Sequence, residues 1–261
     1  MAEFQQQSLM LDYLHAKKSF TFALSFFLSL KMELSPQILF RDEYLVAINK
    51  PHGLLVHKSP IAADASEFAV QWVRNWLGRY VYPVHRLDRK TAGVLLFALD
   101  PTTNSLMQQQ FMQHQPQKTY HAIVRGYTEE QGIVDAPLRN ETGRLQQAVT
   151  HYRRLKTAEL DIPSAGFATS RYSLLEVMPE TGRMHQIRRH LAHIFHPVIG
   201  DRPHGCNKQN RLFLQQFQHS TLLLHSVSLR FVHPVSNVPY TIEASYQPEF
   251  LRIMPIMGWA E

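Results

Sequence analysis

Val94-Leu95-Leu96-Phe97-Ala98-Leu99 is an unbroken apolar run. A membrane-spanning helix needs about 20 apolar residues, so this run is too short to cross a bilayer and suits a buried strand. An extended stretch, Tyr80-Val81-Tyr82-Pro83-Val84, stands ahead of it. Between them lie His85-Arg86-Leu87-Asp88, the basic pair Arg89-Lys90, and Thr91-Ala92-Gly93. Asp88 therefore falls on a tight connection between two expected strands, and loops held by such a scaffold often carry catalytic groups. Arg86 and Asp88 are two apart, so in an extended segment both point to the same side. Cationic neighbours favour the charged form of a carboxylate, which suits a nucleophile or base rather than a general acid. A surface ion pair at a strand end is the competing reading of the same four residues.

The chain has 261 residues, enough for one large domain or two small ones with a substantial core. Lys and Arg number 27 against 21 Asp and Glu, and the isoelectric point is near 9.5. A moderate positive balance of this kind leans towards a polyanionic partner. The single cysteine, Cys206, excludes an internal disulfide and fits a reducing compartment.

The first 31 residues differ from the rest. Lys17-Lys18 precedes a short apolar run from Ser19 to Leu30. This resembles a targeting segment, but Lys31-Met32-Glu33 follows instead of a small-residue cleavage site. The expectation is an N-terminal extension over 1–31, from an over-long start or a targeting-like segment, and one domain over 32–261. No internal repeat, low-complexity tract or linker interrupts that domain.

Ile38-Leu39-Phe40 and Tyr44 to Ile48 read as a hairpin, broken by Asn49-Lys50-Pro51-His52-Gly53. Lys50 and His57 flank that turn and could touch phosphate. Glu67 to Leu77 is an expected helix, with Phe68, Trp72, Val73 and Trp76 on one apolar face. A second helix is expected from Thr102 to His114, started by Asp100 or Thr102 and ended by Pro116. Lys118 to Arg125 reads as a strand, with Tyr120, Ala122 and Val124 on one face. Arg139 to Lys156 is a basic run, and Gln147 to Leu155 and Arg171 to Met178 alternate like strands. A helix is expected from Arg183 to about Phe195, burying Met184, Ile187, Leu191 and Ile194 and leaving Arg183, Arg188, Arg189, His190 and His193 elsewhere. Gly200 to Gly205 is turn-rich, and Leu222 to Val232 with Tyr240 to Ala244 forms a hairpin-like pair.

His190, His193 and His196 recur at steps of three, but no Glu, Asp or Cys accompanies them as a fourth ligand, so no metal site is expected. The chain has no glycine-rich phosphate loop, zinc signature or G-x-S-x-G elbow, which argues against nucleotide hydrolases, zinc deaminases and serine esterases. A glycosidase built on Asp88 needs a second positioned carboxylate, and no motif offers one.

Several stretches together resemble the RluA-type pseudouridine synthases. His85-Arg86-Leu87-Asp88 with Thr91 and Gly93 is similar to the family's active-site motif. Leu39 to Gly53, Lys118-Thr119-Tyr120, Gly182 to Arg188, and Gly200-Asp201 with Gly205 match its other blocks in order. The resemblance covers nearly all of 38–233. Two departures stand out: His204 replaces a tyrosine found in many members, and no S4-type RNA-binding domain precedes the catalytic part. Gln147 to Tyr152, Arg188 to His193 and the Gly-Asp-x-x-His-Gly form are closest to members that modify uridine 65 of tRNA.

The resemblance implies an α+β fold: a mixed, mostly antiparallel central sheet with flanking helices and an active-site cleft. It implies a tRNA-modifying isomerase that needs no cofactor and no metal. Asp88 would be the essential group, Arg188 would pair with it, and Tyr120 would stack on the flipped base and could also help remove the proton from C5. Arg86, His85, Ile187, Arg183, Lys118 and Lys50 would contact RNA or the base. The expected partner is tRNA, bound by a cytoplasmic monomer with no membrane association and no obligatory protein partner. An rRNA synthase of the same family and a non-catalytic RNA-binding module are the alternatives. The second fits poorly, because mere binding needs no carboxylate amid basic residues.

Overall fold

The computed structural model describes residues 36–57, 67–164 and 166–259. The chain divides into two units, Met1–Pro36 and Gln37–Glu261. The expected extension over 1–31 lies outside the described residues, and every described helix and strand belongs to the second unit.

Strands β1 (Ile38–Arg41) and β2 (Leu45–Lys50) form the expected antiparallel hairpin. Helix α1 (Ala69–Leu77) ends on Gly78 in the left-handed conformation. Strand β3 (Tyr82–Pro83) leads to β4 (Ala92–Ala98), every residue of which is buried. Helix α2 (Pro101–Met112) starts where expected: the Asp100 side chain accepts a hydrogen bond from the Thr103 backbone N–H, and Pro101 occupies the first helical position. Then follow β5 (Gln117–Arg125), β6 (Gln131–Asp135), β7 (Leu138–Arg139), β8 (Leu145–Gln146), β9 (Val149–Leu160) and β10 (Ser170–Pro179). Helices α3 (Gln186–His193) and α4 (Asn207–Phe217), strands β11 (Leu224–Val232) and β12 (Pro239–Glu243), and helix α5 (Pro248–Ile256) complete the chain.

Among the described residues one sheet runs in the order β1-β2-β4-β11-β5-β10-β9-β6, with β3 on β4 and β12 on β11. Its pairings are antiparallel except β4–β11, where His225 lies opposite Ala92 and Ser226 opposite Gly93. This is the mixed, mostly antiparallel α+β sheet that the sequence led us to expect. The parallel contact is very close: a Cβ on Gly93 would sit 2.1 Å from the Ser226 carbonyl oxygen, and Gly93 has φ +110°. Only glycine fits there. The same strand, β11, holds Ser226 opposite Tyr120 of β5, so Gly93 sets the distance between the Asp88 connection and Tyr120.

Alternation along the strands fills both faces of the sheet. Val46, Ile48, Leu95, Phe97, Tyr120, Ala122, Val124 and Leu175 point one way and meet Leu87, α1 and α3. On β4, Val94, Leu96 and Ala98 point the other way and meet Met107 of α2. Ile123, Tyr172 and Leu174 pack on Phe213 of α4 and on Phe250 and Ile253 of α5.

Two readings of the sequence are corrected. The helix expected from Arg183 begins only at Gln186, because the Gln186 side chain ties the preceding turn together. Its Oε1 accepts from Arg183 N–H (3.0 Å) and Thr181 O–H (2.6 Å), and its Nε2 donates to the Val149 carbonyl (2.9 Å). Met184 is therefore 41 % exposed rather than part of the buried face, whereas Arg188 and His190 are buried. Helices α4 and α5 were not expected. The first opens on polar Asn207-Lys208-Gln209-Asn210, and the second carries Pro248 and Pro255, so neither shows an uninterrupted helical pattern. Much of the basic run is also engaged within the protein. Arg153 pairs with Glu176 at 3.0 Å, Arg154 donates to the Thr128 carbonyl, and Lys156 donates to the Trp259 carbonyl at 3.4 Å.

Candidate active site

Asp88 lines a cleft of about 790 Å³ together with Arg86, Lys118, Tyr120, Arg183, His185, Ile187 and Arg188. The connection carrying it is fastened from below. Thr91 N–H donates to the Asp88 carbonyl at 3.0 Å, and Gly53 N–H donates to the Arg89 carbonyl at 2.9 Å. Lys50 is fully buried, and its ammonium donates to the carbonyls of Leu54 (2.8 Å), Pro51 (3.1 Å) and Arg89 (3.2 Å). Lys50 therefore does not reach the cleft, contrary to the expected RNA contact. It staples the Asn49–Gly53 turn to the Asp88 connection. Burial pushes its pKa down to about 7, against the pull of Asp88, which favours the charged form.

Arg188, a hundred residues further on, supplies the partner of Asp88. Its Nη1 donates to Asp88 Oδ2 at 2.9 Å. Its Nε and Nη2 donate to the two oxygens of Asp201 at 2.8 and 2.7 Å. Arg188 and Asp201 are 4 % and 1 % exposed, whereas the Asp88 side chain is 23 % exposed. A buried two-point pair fixes the plane of the guanidinium, and the remaining donor fixes the carboxylate that meets solvent. Burial works against the charge on Arg188, but the two carboxylates more than offset it. For Asp201, burial pushes the carboxyl up while the Arg188 hydrogen bonds and charge pull it further down, so the net shift is below the ordinary range. Gly200 makes this turn possible: a Cβ there would meet the Thr221 carbonyl oxygen at 1.8 Å. In the sequence Asp201 is visible only as part of a motif, with no role attached. The signal that could have found it is arithmetic, since a guanidinium has five donors and one carboxylate cannot satisfy it when buried.

Tyr120 is 8 % exposed and lines the cleft beside Leu224. Burial and then the nearby Asp88 charge push its hydroxyl well above the usual phenol range, although a hydrogen bond with Ser226 works the other way. The phenol is thus held neutral, which favours an aromatic platform over a tyrosinate base. Ile187 contributes an apolar wall. Lys118 donates to the Thr181 carbonyl at 3.1 Å, and burial followed by the Arg183 charge lowers its pKa to about 8. Arg183 Nε donates to the Gln147 carbonyl at 3.0 Å. Arg86 is exposed on the cleft rim.

His85 also lines the cleft, but its Nε2 accepts a hydrogen bond from the Leu96 backbone N–H at 3.1 Å, and its ring stacks on Phe111 at 5.2 Å. Burial and then the Lys118 charge lower its pKa to about 4, so it is neutral at pH 7. It braces the middle of β4 as well as facing the cleft. His190 is buried between Thr150 Oγ1 (2.9 Å) and the Ala136 carbonyl (3.0 Å), leaving neither nitrogen for phosphate. Among the described residues no group of histidines, cysteines and carboxylates is arranged to hold a metal ion.

Residues 44–193 match the family described as RNA pseudouridylate synthase. A Vibrio cholerae protein named tRNA pseudouridine synthase C is 44 % identical over 236 residues, covering 86 % of this chain and 97 % of that one. A Haemophilus influenzae protein of the same name is 41 % identical over 234 residues, covering 85 % and 98 %. Among solved structures, human RNA pseudouridylate synthase domain containing 4 superposes with a TM-score of 0.65 at 25 % identity, covering 85 % of this chain and 93 % of that chain.

Proposed function

This chain belongs to the RNA pseudouridylate synthase family, and we propose that it isomerises uridine to pseudouridine in tRNA, at position 65, with Asp88 as the essential group. The observation that carries the reading is the Asp88–Arg188 pair at 2.9 Å, open to solvent on the carboxylate side and buried on the guanidinium side. In the reaction the N1–C1′ bond breaks and a C5–C1′ bond forms. One proton leaves C5 and one joins N1, so no atom is gained and no redox or energy cofactor is required. The target nucleotide must leave its stack to bring both edges of the base into the cleft. Asp88 acts there by attacking the ribose or the base, or by taking a sugar proton. Each route needs a fixed anion, and the Arg188–Asp201 pair holds Asp88 in place. Tyr120 and Ile187 hold the detached base while it turns.

Arg86, Arg183 and Lys118 place positive charge along the cleft for the RNA backbone. Phosphate contacts position RNA but carry little sequence information, so selectivity rests on RNA shape, which a compact tRNA provides. The relatives' names point the same way. Position 65 rests on the sequence stretches shared with members that act there. The enzyme works as a cytoplasmic monomer without a protein partner; among the described residues no helix is long and apolar enough to cross a membrane. The test is to incubate purified protein with separate tRNA and rRNA transcripts and map carbodiimide-dependent stops. A stop at tRNA position 65 is expected. Modification of rRNA alone would overturn the substrate and leave the isomerase, and modification of neither would overturn both.

A further inference from the structure

His185 has no step of its own in the isomerisation, yet its conformation is costly. It precedes α3 with φ 53°, in the left-handed region, and its side chain does not cap the helix. Non-glycine residues held there at a functional site often serve it. The ring turns into the cleft instead. Its Nε2 lies 3.9 Å from Asp88 Oδ2, the oxygen that Arg188 also holds. That is too far for a hydrogen bond but close enough for the charge to be felt. Its Nδ1 lies 2.9 Å from Nε2 of His204, and the His204 backbone N–H donates to Asp201 at 3.3 Å. Both routes to Asp88, through Arg188 and through the two histidines, thus start from Asp201.

A hydrogen bond between two imidazoles has one donor and one bare nitrogen, so the pair has two arrangements. Either His204 donates and the His185 proton sits on Nε2, or His185 donates from Nδ1 and turns a bare Nε2 lone pair towards Asp88. The charged groups around the pair are Asp88, Asp201, Arg188 and Arg189. Asp88 lies on the Nε2 side of His185 and favours a proton there. We infer that His204 is a positioning residue: its Nε2–H donates to Nδ1 of His185 and fixes the His185 tautomer whose Nε2–H faces Asp88. The nitrogen bonded to a neighbour decides where the other proton resides. Asp88 then has a proton on each flank, from Arg188 and from His185, rather than a lone pair that repels it. The catalytic consequence rests on the isomerase reading; the tautomer itself does not.

The test uses the full-length protein labelled with nitrogen-15, with the His185 ring signals assigned by their loss in His185→Gln. The expected result is a protonated Nε2 and a bare Nδ1 in the wild type, and a larger share of the proton on Nδ1 in His204→Ala. With tRNA as substrate, His204→Ala should lower kcat about ten-fold with KM unchanged, the mark of an interaction made in the transition state only. His204→Gln, whose side-chain N–H reaches the same nitrogen, should keep kcat within about three-fold of wild type. A wild-type His185 protonated on Nδ1 would overturn the inference. So would a His204→Ala enzyme with unchanged kcat, or a His204→Gln enzyme as impaired as His204→Ala. Wild-type protein that modifies no uridine is a separate result: it would remove the isomerase reading, while the ring spectra still decide the tautomer.

Discussion

Asp201→Asn removes the charge behind Arg188 while changing the side-chain volume little. In the wild type both Asp201 oxygens are engaged by Arg188, at 2.8 and 2.7 Å, in a site where the two residues are 1 % and 4 % exposed. Breaking one side of a buried pair costs about 3–5 kcal/mol, and Asn retains one acceptor, so about 3 kcal/mol is expected. In a domain of this size each kcal/mol moves Tm by about 2–4 °C, which puts the fall at about 6–12 °C. The guanidinium also loses the two-point hold that sets the position of Asp88. A displacement of about 1 Å at a catalytic group costs on the order of a hundred-fold in rate, so kcat should fall by about that factor. The pH dependence has a definite sign. The Asp201 carboxyl is shifted below its ordinary value of 3.8, so its stabilisation is complete above that pH and is lost as pH falls through the lower, folded-state value. The Tm gap between wild type and Asp201→Asn should therefore be constant from pH 5 upward, taking about 4 as the unfolded carboxyl value, and close below that range. Thermal melts across pH and initial rates of tritium release from C5-labelled tRNA provide both readings. An Asp201→Asn enzyme with wild-type Tm and kcat would refute the fork as the support of Asp88.

Two further substitutions separate support from contact. Lys50→Met takes the donor away from the Pro51 and Leu54 carbonyls and should cost about 3 kcal/mol in denaturant unfolding, because buried acceptors left unpaired are expensive; unchanged stability would show that the staple is dispensable. Tyr120→Ala should weaken tRNA binding by about 1–3 kcal/mol while Tyr120→Phe keeps wild-type affinity, since the aromatic ring supplies the stacking surface. Filter binding decides, and equal weakening in both variants would remove the stacking role.

The parts of the fold visible in the sequence are those where local pattern and tertiary burial agree. The apolar run after Gly93 became β4, and the Asp100–Pro101 start of α2 needed only local chemistry. Tyr120, Ala122 and Val124 share a face because period two leaves no other choice. The misread parts depend on partners far away in the chain. Lys50 looks like a solvated turn residue until carbonyls from 51, 54 and 89 close around it. Gln186 looks like a helix interior residue until β9 draws its side chain back to cap the turn. The site itself divides in the same way. Asp88 and Tyr120 stand on strands and their connections, so pattern and resemblance together located them. Asp201, His185 and His204 are brought together from separate segments, and no local periodicity marks them.

Tritium release from C5-labelled tRNA by Asp88→Asn, measured beside its affinity for the same tRNA, tests the central claim most directly. Asp88 is an anion in a cleft lined by Arg86, Lys118, Arg183 and Arg188, so removing its charge should leave phosphate contacts intact. The predicted result is no detectable release with an affinity within about three-fold of wild type, because the loss falls on the chemical step alone. Appreciable turnover by Asp88→Asn would contradict it.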